Sequence, residues 1–386
     1  MKKLLLATLM AATCGMSFAQ SNVTIYGILD ESYYGVSSAG ATHTQNGLNS
    51  NGVNTSRLGF KGVEDIGGGT KVGVNLESQL TLSSGAMGSS STGVAQSTTG
   101  TSEIFNRGAN LSISNSKVGE VRLGRQATPI YVGQNNADAL GINSLGLINY
   151  FTYMSVLYGT NAITGQNAST YVGGATSSGT IPNNFANGIG YTTPTFYGVN
   201  ATLFTSPGSG NNTEQNAAAI REGTINYVGD GRLKGLTAVA GYGNLNSTTS
   251  GIPAVSRSLL GASYTWEKFK FSANHMQWQF KNGVFSTVMG NNTSLNNLGV
   301  KYQVTAPLWV GVEYTAAKDN SNSNNSSATT GIATGYDLSK RTMLYAFVGS
   351  TQNRGQSAMT GVYGSSAVIS PGVNNYGYSV GMKHTF

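Results

Sequence analysis

The residues able to do chemistry in this chain are few and mostly cationic. Lysine and arginine number 22 and aspartate and glutamate 15, beside 3 histidines and 1 cysteine in 386 residues. His43, His275 and His384 stand far apart, and none has the short spacing of a metal-ligand pair. Cys14 lies within residues 1–19, which read as an export signal. Lys2 and Lys3 precede the apolar run Leu4 to Ala12, and Ser17-Phe18-Ala19 offers small residues to a signal peptidase. Cleavage after Ala19 leaves residues 20–386 as one domain without a thiol. Gly67-Gly68-Gly69 sits in a turn, with no phosphate-loop lysine or following helix. The pattern predicts no enzyme, no cofactor and no metal. The basic residues are scattered rather than gathered in a stripe, so no nucleic-acid surface is expected.

What the charged residues offer is a lined wall. In Arg57-Leu58-Gly59-Phe60-Lys61, strict alternation puts Leu58 and Phe60 on one face and Arg57, Gly59 and Lys61 on the other. In Val121-Arg122-Leu123 the arginine again opposes two apolar neighbours. Arg107 shares its parity with Ala109, Leu111 and Ile113. It therefore sits either in a bulge on the charged side or near the end of its strand on the apolar side. From Val121 to Thr213 the single acidic residue is Asp138. It is the one carboxylate a long connection offers to face these cations. Charges lining a narrow water path orient solute dipoles and bias ion passage.

The elements that must carry these residues are strands. Charged residues make up only 10% of the chain, against roughly 25% in ordinary soluble domains. Yet only the N-terminus holds an apolar run, and it is too short to span a bilayer as a helix. Disorder is excluded by 20 Tyr, 13 Phe and 3 Trp set in alternating segments. Between 296 and 305, Leu298, Val300, Tyr302 and Val304 share one face; after Ala306-Pro307, Val310, Val312, Tyr314 and Ala316 repeat the pattern. No stretch shows sustained helical periodicity. Long polar connections (35–50, 82–101, 206–219, 281–293, 318–331, 352–373) alternate with short turns. This rhythm predicts a transmembrane antiparallel β-barrel of sixteen strands, centred near 28, 57, 75, 109, 122, 188, 201, 225, 240, 261, 274, 300, 312, 335, 346 and 381. The longest connection, 127–183, is expected to fold inside the barrel. There the uncharged stretch from Ala139 to Tyr158 would pack its aromatics on the wall.

Several segments then resemble one family. Val23-Thr24-Ile25-Tyr26-Gly27 is similar to the first strand of general porins of Gram-negative outer membranes, of the beta-proteobacterial type. Ser56-Arg57-Leu58-Gly59-Phe60-Lys61-Gly62-Val63-Glu64-Asp65 resembles their second strand and first turn. Phe105-Asn106-Arg107, Leu123-Gly124-Arg125-Gln126, Tyr336-Asp337-Leu338-Ser339-Lys340-Arg341-Thr342 and Val380-Gly381-Met382-Lys383-His384-Thr385-Phe386 follow in order. The resemblance implies a water-filled homotrimeric channel in the outer membrane, with its third long loop in the lumen. It would be bedded in lipid and lipopolysaccharide and would pass small hydrophilic solutes and ions. It also implies that the outer-membrane assembly machinery reads the terminal strand, with Phe386 as the signal. Arg125 has lipid parity by counting, but the resemblance places the arginine of this Gly-Arg motif in the constriction. The expected constriction set is therefore Arg57, Lys61, Arg107, Arg122, Arg125 and Asp138.

The family often carries a further wall arginine before the residue matching Tyr191, and this chain has Gly190 there. The expectation is passive diffusion with a mild anion preference. The alternatives are a solute-specific channel with a lumenal binding site, and a barrel acting mainly as an adhesin or receptor.

Overall fold

An alternating strand in a membrane satisfies its backbone only if both its edges are paired, so a sheet of such strands must close. The computed structural model describes residues 22–39, 44–88, 104–145, 185–206, 218–247, 255–280, 292–322, 324–357, 359 and 371–386. The export signal at 1–19, His43 and the aromatics Tyr150, Phe151, Tyr153 and Tyr158 lie outside the described residues.

Sixteen antiparallel strands form the wall. They are β1 Asn22–Ser38, β2 Arg57–Gly67, β3 Thr70–Thr81, β4 Gly108–Asn115, β5 Gly119–Ala127, β6 Phe185–Thr192, β7 Val199–Ser206 and β8 Ala218–Val228. The second half comprises β9 Leu236–Ser247, β10 Val255–Trp266, β11 Phe269–Phe280, β12 Asn292–Gln303, β13 Leu308–Asp319, β14 Ser326–Asp337, β15 Thr342–Arg354 and β16 Asn375–Thr385. Each strand pairs with the next. β1 pairs with β2 over Asn22–Ile28 and with β16 over Ile28–Ser38, which closes the barrel. All sixteen expected strand centres fall inside these strands.

The two faces separate as alternation requires. Leu298, Val300, Val310, Val312 and Tyr314 are exposed on the outside, and Asn297, Glu313 and Thr315 are buried on the inside. At the seam, Phe386 exchanges two backbone hydrogen bonds with Gly27, each 3.1 Å. The Phe386 ring lies over Gly27, where any Cβ would collide with it. The seam therefore uses glycine and the terminal aromatic together.

Three local expectations needed revision. Residues 35–50 are not all loop: β1 runs to Ser38, and Gln45–Ser50 returns along it as a short added strand. The buried Asp30 carboxylate explains the turn that follows, since it accepts the amides of Gly52, Val53 and Asn54 at 3.1, 3.0 and 2.7 Å and the Tyr345 hydroxyl at 2.5 Å. Residues 318–331 also read as loop because Ser and Asn dominate, yet β13 reaches Asp319 and β14 begins at Ser326. Ladder pairing to β13 and β15 outweighs that polar composition. Finally, an eight-residue helix, α1 Pro129–Asn136, opens the longest connection. It is too short to show a sequence period, though Pro129 stands in its first turn, where proline is tolerated.

The described part of that connection, 128–145, lies against the inward-facing side chains of the far wall. Ile130 and Ala137 join a buried cluster with Val239, Leu259, Met276 and Trp278. Ala139, Leu140, Ile142 and Leu145 join another with Trp309, Ala333, Tyr345 and Phe347. The Asn143 and Ser144 amides then reach the carbonyls of Val53 and Gly52, at 3.0 and 3.2 Å.

Candidate pore constriction

Parity delivers three cations to one place, and a turn adds a fourth. β2 turns Arg57 and Lys61 inward, β5 turns Arg122 inward, and Arg107 enters from the turn just before β4. All four line one cavity of about 620 Å³. Arg107 is held inward because its amide bonds the Glu77 carbonyl at 3.1 Å and its Nε donates to Glu77 Oε1 at 2.6 Å. Its guanidinium also lies 4.5 Å from the centre of the Phe185 ring. Arg57 donates from Nε to the Thr55 carbonyl at 2.9 Å and keeps Nη1 3.9 Å from Glu77. Lys61 stands over the Tyr26 ring at 4.3 Å. Arg122 pairs with Glu120 on its own strand at 2.8 Å, partly exposed to the lumen.

The carboxylate facing these cations is Glu77 on β3, which Tyr26 also contacts, donating from its hydroxyl at 2.8 Å. Glu77 was not among the expected residues, although the signal was present. Val72, Val74 and Leu76 take the apolar face of β3, which leaves Asn75 and Glu77 inward, and Glu77 lies directly across from Gly59 between Arg57 and Lys61. Strand alignment, rather than sequence distance, would have found it.

Two expected residues stand elsewhere. Arg125 pairs at its Cα with Ala109 and Asn187, and its Nε donates to the Asn106 carbonyl at 2.5 Å. It is not among the residues lining the cavity. Arg122 and Gln126 both line it, while Gly124, just before Arg125, takes a φ of +111°. Asp138 is buried against the far wall, with Oδ1 accepting the Leu140 amide at 3.0 Å. The structure does not bring it to the arginines. Burial pushes its carboxyl above the ordinary range, with the Gly141 and Leu140 amides and Lys270 opposing. At the position of the resemblance's missing arginine, the Gln126 side chain occupies the space over Gly190. His275 and His384 sit apart, bonded to Asn296 and Thr342.

Across the cavity from the cations stand Tyr131 and Asn135 of α1 and Asn143 beyond it. They are fixed from behind. Arg257 and Glu222 form a fully buried ion pair on the inner face of β10 and β8, under Trp278. Glu222 Oε2 accepts the Ile130 amide at 3.4 Å, and Arg257 donates to Thr128 Oγ1 at 3.3 Å. A second cavity of about 260 Å³, lined by Arg122, Gln126, Val132, Thr202 and Asn226, lies on the other side of α1. Arg122 and Gln126 belong to both.

A closed barrel with an apolar outside, a polar inside and a charged, partly plugged lumen defines a channel-forming outer-membrane protein. The chain belongs to the Gram-negative porins, whose family model matches residues 6–356. It is 29% identical over 397 residues to outer membrane porin protein 32 of Delftia acidovorans, covering all of both chains. Its fold matches the anion-selective porin from Comamonas acidovorans, with a TM-score of 0.73, 26% identity and coverage of 95% of this chain and 100% of that one. A trimer form of OmpT from Vibrio cholerae is similar in fold alone, with a TM-score of 0.58, 14% identity and coverage of 95% and 99%. The chain is thus an outer-membrane diffusion channel.

Proposed function

We propose that the channel passes small hydrophilic solutes and ions passively, with a mild preference for anions set by Arg57, Lys61, Arg107 and Arg122. The observation that carries this reading is the single cavity those four cations share with one lining carboxylate, Glu77. At physiological salt the Debye length is about 8 Å, so only charges at the narrowest part act strongly on a passing ion. The name of the Comamonas relative points the same way. The reading is of a channel without a catalytic step, in keeping with a family of channel proteins.

The same proposal takes residues 1–19 as a cleaved signal, residues 20–386 as the mature barrel, Phe386 as part of the assembly signal and a homotrimer as the working form. The trimer form of OmpT supports the last point. Recording in planar bilayers under a salt gradient tests the central claim. The parental protein should show a reversal potential on the anion side. Arg57→Ser with Arg107→Ser should move it toward cations. An unchanged potential in that double variant would reject the assignment of the constriction.

A further inference from the structure

Lys270 on β11 and Lys301 on β12 are direct cross-strand partners on the inner face of the far wall. Like charges placed directly opposite on neighbouring strands repel and destabilise a sheet. Such a pair is normally relieved by a carboxylate, yet among the described residues no carboxylate lies within 4.0 Å of either ammonium group. Lys270 Nζ donates instead to the Asp138 carbonyl at 2.7 Å, a neutral acceptor. Lys301 Nζ stands 4.4 Å from the centre of the Trp309 ring. The charged groups facing the pair are Asp138, whose buried carboxyl turns to the Leu140 amide, Asp337 on β14 and Lys383 on β16. Lys383 itself donates to Asn54 Oδ1 at 3.0 Å rather than to a carboxylate. Both Lys270 and Lys301 are half-buried, so their heads remain reachable from the lumen.

We infer that Lys270 and Lys301 form a second anion site, separate from the Arg57–Arg107 constriction, which takes a small divalent oxyanion of the phosphate or sulfate class. Two adjacent ammonium groups suit such an ion better than chloride. Each offers free N–H donors to a separate oxygen, and one divalent charge offsets both cations. Lys301 beside Trp309 and Lys270 on the Asp138 carbonyl are each anchored from one side, which directs the remaining donors into the lumen. The site lies toward the barrel end that carries the short turns, since Lys270 and Lys301 are near the 267–268 and 304–307 connections. An anion leaving the arginines on the near wall would therefore meet it next. The inference rests on the reading of the lumen as a conducting path.

The test uses the purified full barrel and inorganic phosphate as the probe. Phosphate added to a chloride solution should reduce single-channel chloride current and saturate. In Lys270→Gln with Lys301→Gln, the half-blocking concentration should rise by roughly tenfold, the worth of one charge-assisted hydrogen bond. The reversal potential in plain chloride should stay near the parental value. Lys301→Glu should abolish the block and also raise the unfolding midpoint, because it replaces a repelling pair with an attracting one. A damaged barrel would show a lower midpoint, and that result overturns the inference. So does an undiminished block in the double glutamine variant, or a block lost only in Arg57→Ser with Arg107→Ser. Calorimetric binding of phosphate to the detergent-solubilised barrel gives a second readout. If it binds the parent and not the double glutamine variant while no current flows, the site stands and the channel reading fails. If it binds neither, the site is rejected.

Discussion

Strands β1 to β5 and strands β8 to β15 are two stretches of one closed wall, and their inner faces hold different things. The near wall carries Arg57, Lys61, Arg107, Arg122 and Glu77, open to a cavity. The far wall carries Trp278, Leu259, Trp309, Tyr345 and Phe347, covered by residues 128–145. Charge on the near wall lines the cavity and is partly paired, so it acts on what passes. Behind α1 the far wall's charge is sealed: Glu222 and Arg257 are fully buried and bond to each other and to the start of α1, whereas Lys270 and Lys301 are half-buried. A lumen normally alternates polar inside and apolar outside. Here part of the inner face is apolar, because a segment of the same chain packs on it. The near wall selects, and the far wall holds the obstruction that makes selection matter.

The comparison breaks most visibly through Arg257. Arg257→Leu leaves the Glu222 carboxylate buried without its partner, which costs about 3–5 kcal/mol. Arg122→Leu removes a partly exposed pair with Glu120 and costs about 0–1 kcal/mol. Urea unfolding of the folded barrel in detergent should separate the two variants by that margin. Equal losses would mean that the far wall is not the sealed one. The next effect belongs to Leu145, which is fully buried and packed on Gly331, where a Cβ would run into it. Leu145→Ala should cost about 2–5 kcal/mol and increase open-channel current noise, since it loosens the segment that frames the cavity. Lys61→Ala on the near wall should leave both stability and noise close to parental.

How much of this was legible without coordinates also divides along the two walls. The near wall was readable because a strand's period fixes its faces: Arg57, Lys61 and Arg122 follow from their apolar neighbours alone. Counting puts Arg125 on the lipid side and the resemblance puts it at the constriction; its guanidinium reaches the carbonyl of buried Asn106. Arg107 was ambiguous because it precedes its strand, where parity has no force and a tertiary bond to Glu77 decides. The far wall was opaque. Val239, Leu259, Met276 and Trp278 look like any inward or outward strand residues until something is known to lie on them. The segment that does so begins with a helix too short to leave a period. Glu222 and Arg257 are 35 residues apart, and only register puts them together.

Closure gives a smaller and more local effect. Deleting Phe386 removes two backbone hydrogen bonds to Gly27 and the ring that covers it. Outer-membrane levels of the shortened chain should fall, while the conductance of the assembled fraction should stay near parental. Gly27→Leu should reproduce the defect from the other side of the seam, because its side chain needs the space the ring occupies. Normal levels of both variants, measured by surface labelling, would leave the terminal aromatic without a role.

The smallest expected shifts concern two charges expected at the constriction, Asp138 from its place in the long connection and Arg125 from the resemblance. Asp138→Asn and Arg125→Ser should each leave the reversal potential in a salt gradient close to parental. Neither residue lines the cavity, and a charge set back from the water path acts weakly on a passing ion at physiological salt. Glu77→Gln is the contrast. It removes the one lining carboxylate and frees Arg57 and Arg107 from partial neutralisation, so the potential should move further to the anion side. Asp138 is instead expected to report on stability. Burial raises its carboxyl in the folded barrel, so the folded state binds that proton more readily than the unfolded chain does. Its contribution is then fully present below the unfolded value and is lost as pH rises through the raised one. Lowering pH from neutral through that range should therefore stabilise the parent more than Asp138→Asn, which carries no titrating group there. If Asp138→Asn instead moved the reversal potential as far as Glu77→Gln, the carboxylate facing the arginines would be Asp138. The division between an open near wall and a sealed far wall would then fail at its most direct point of contact.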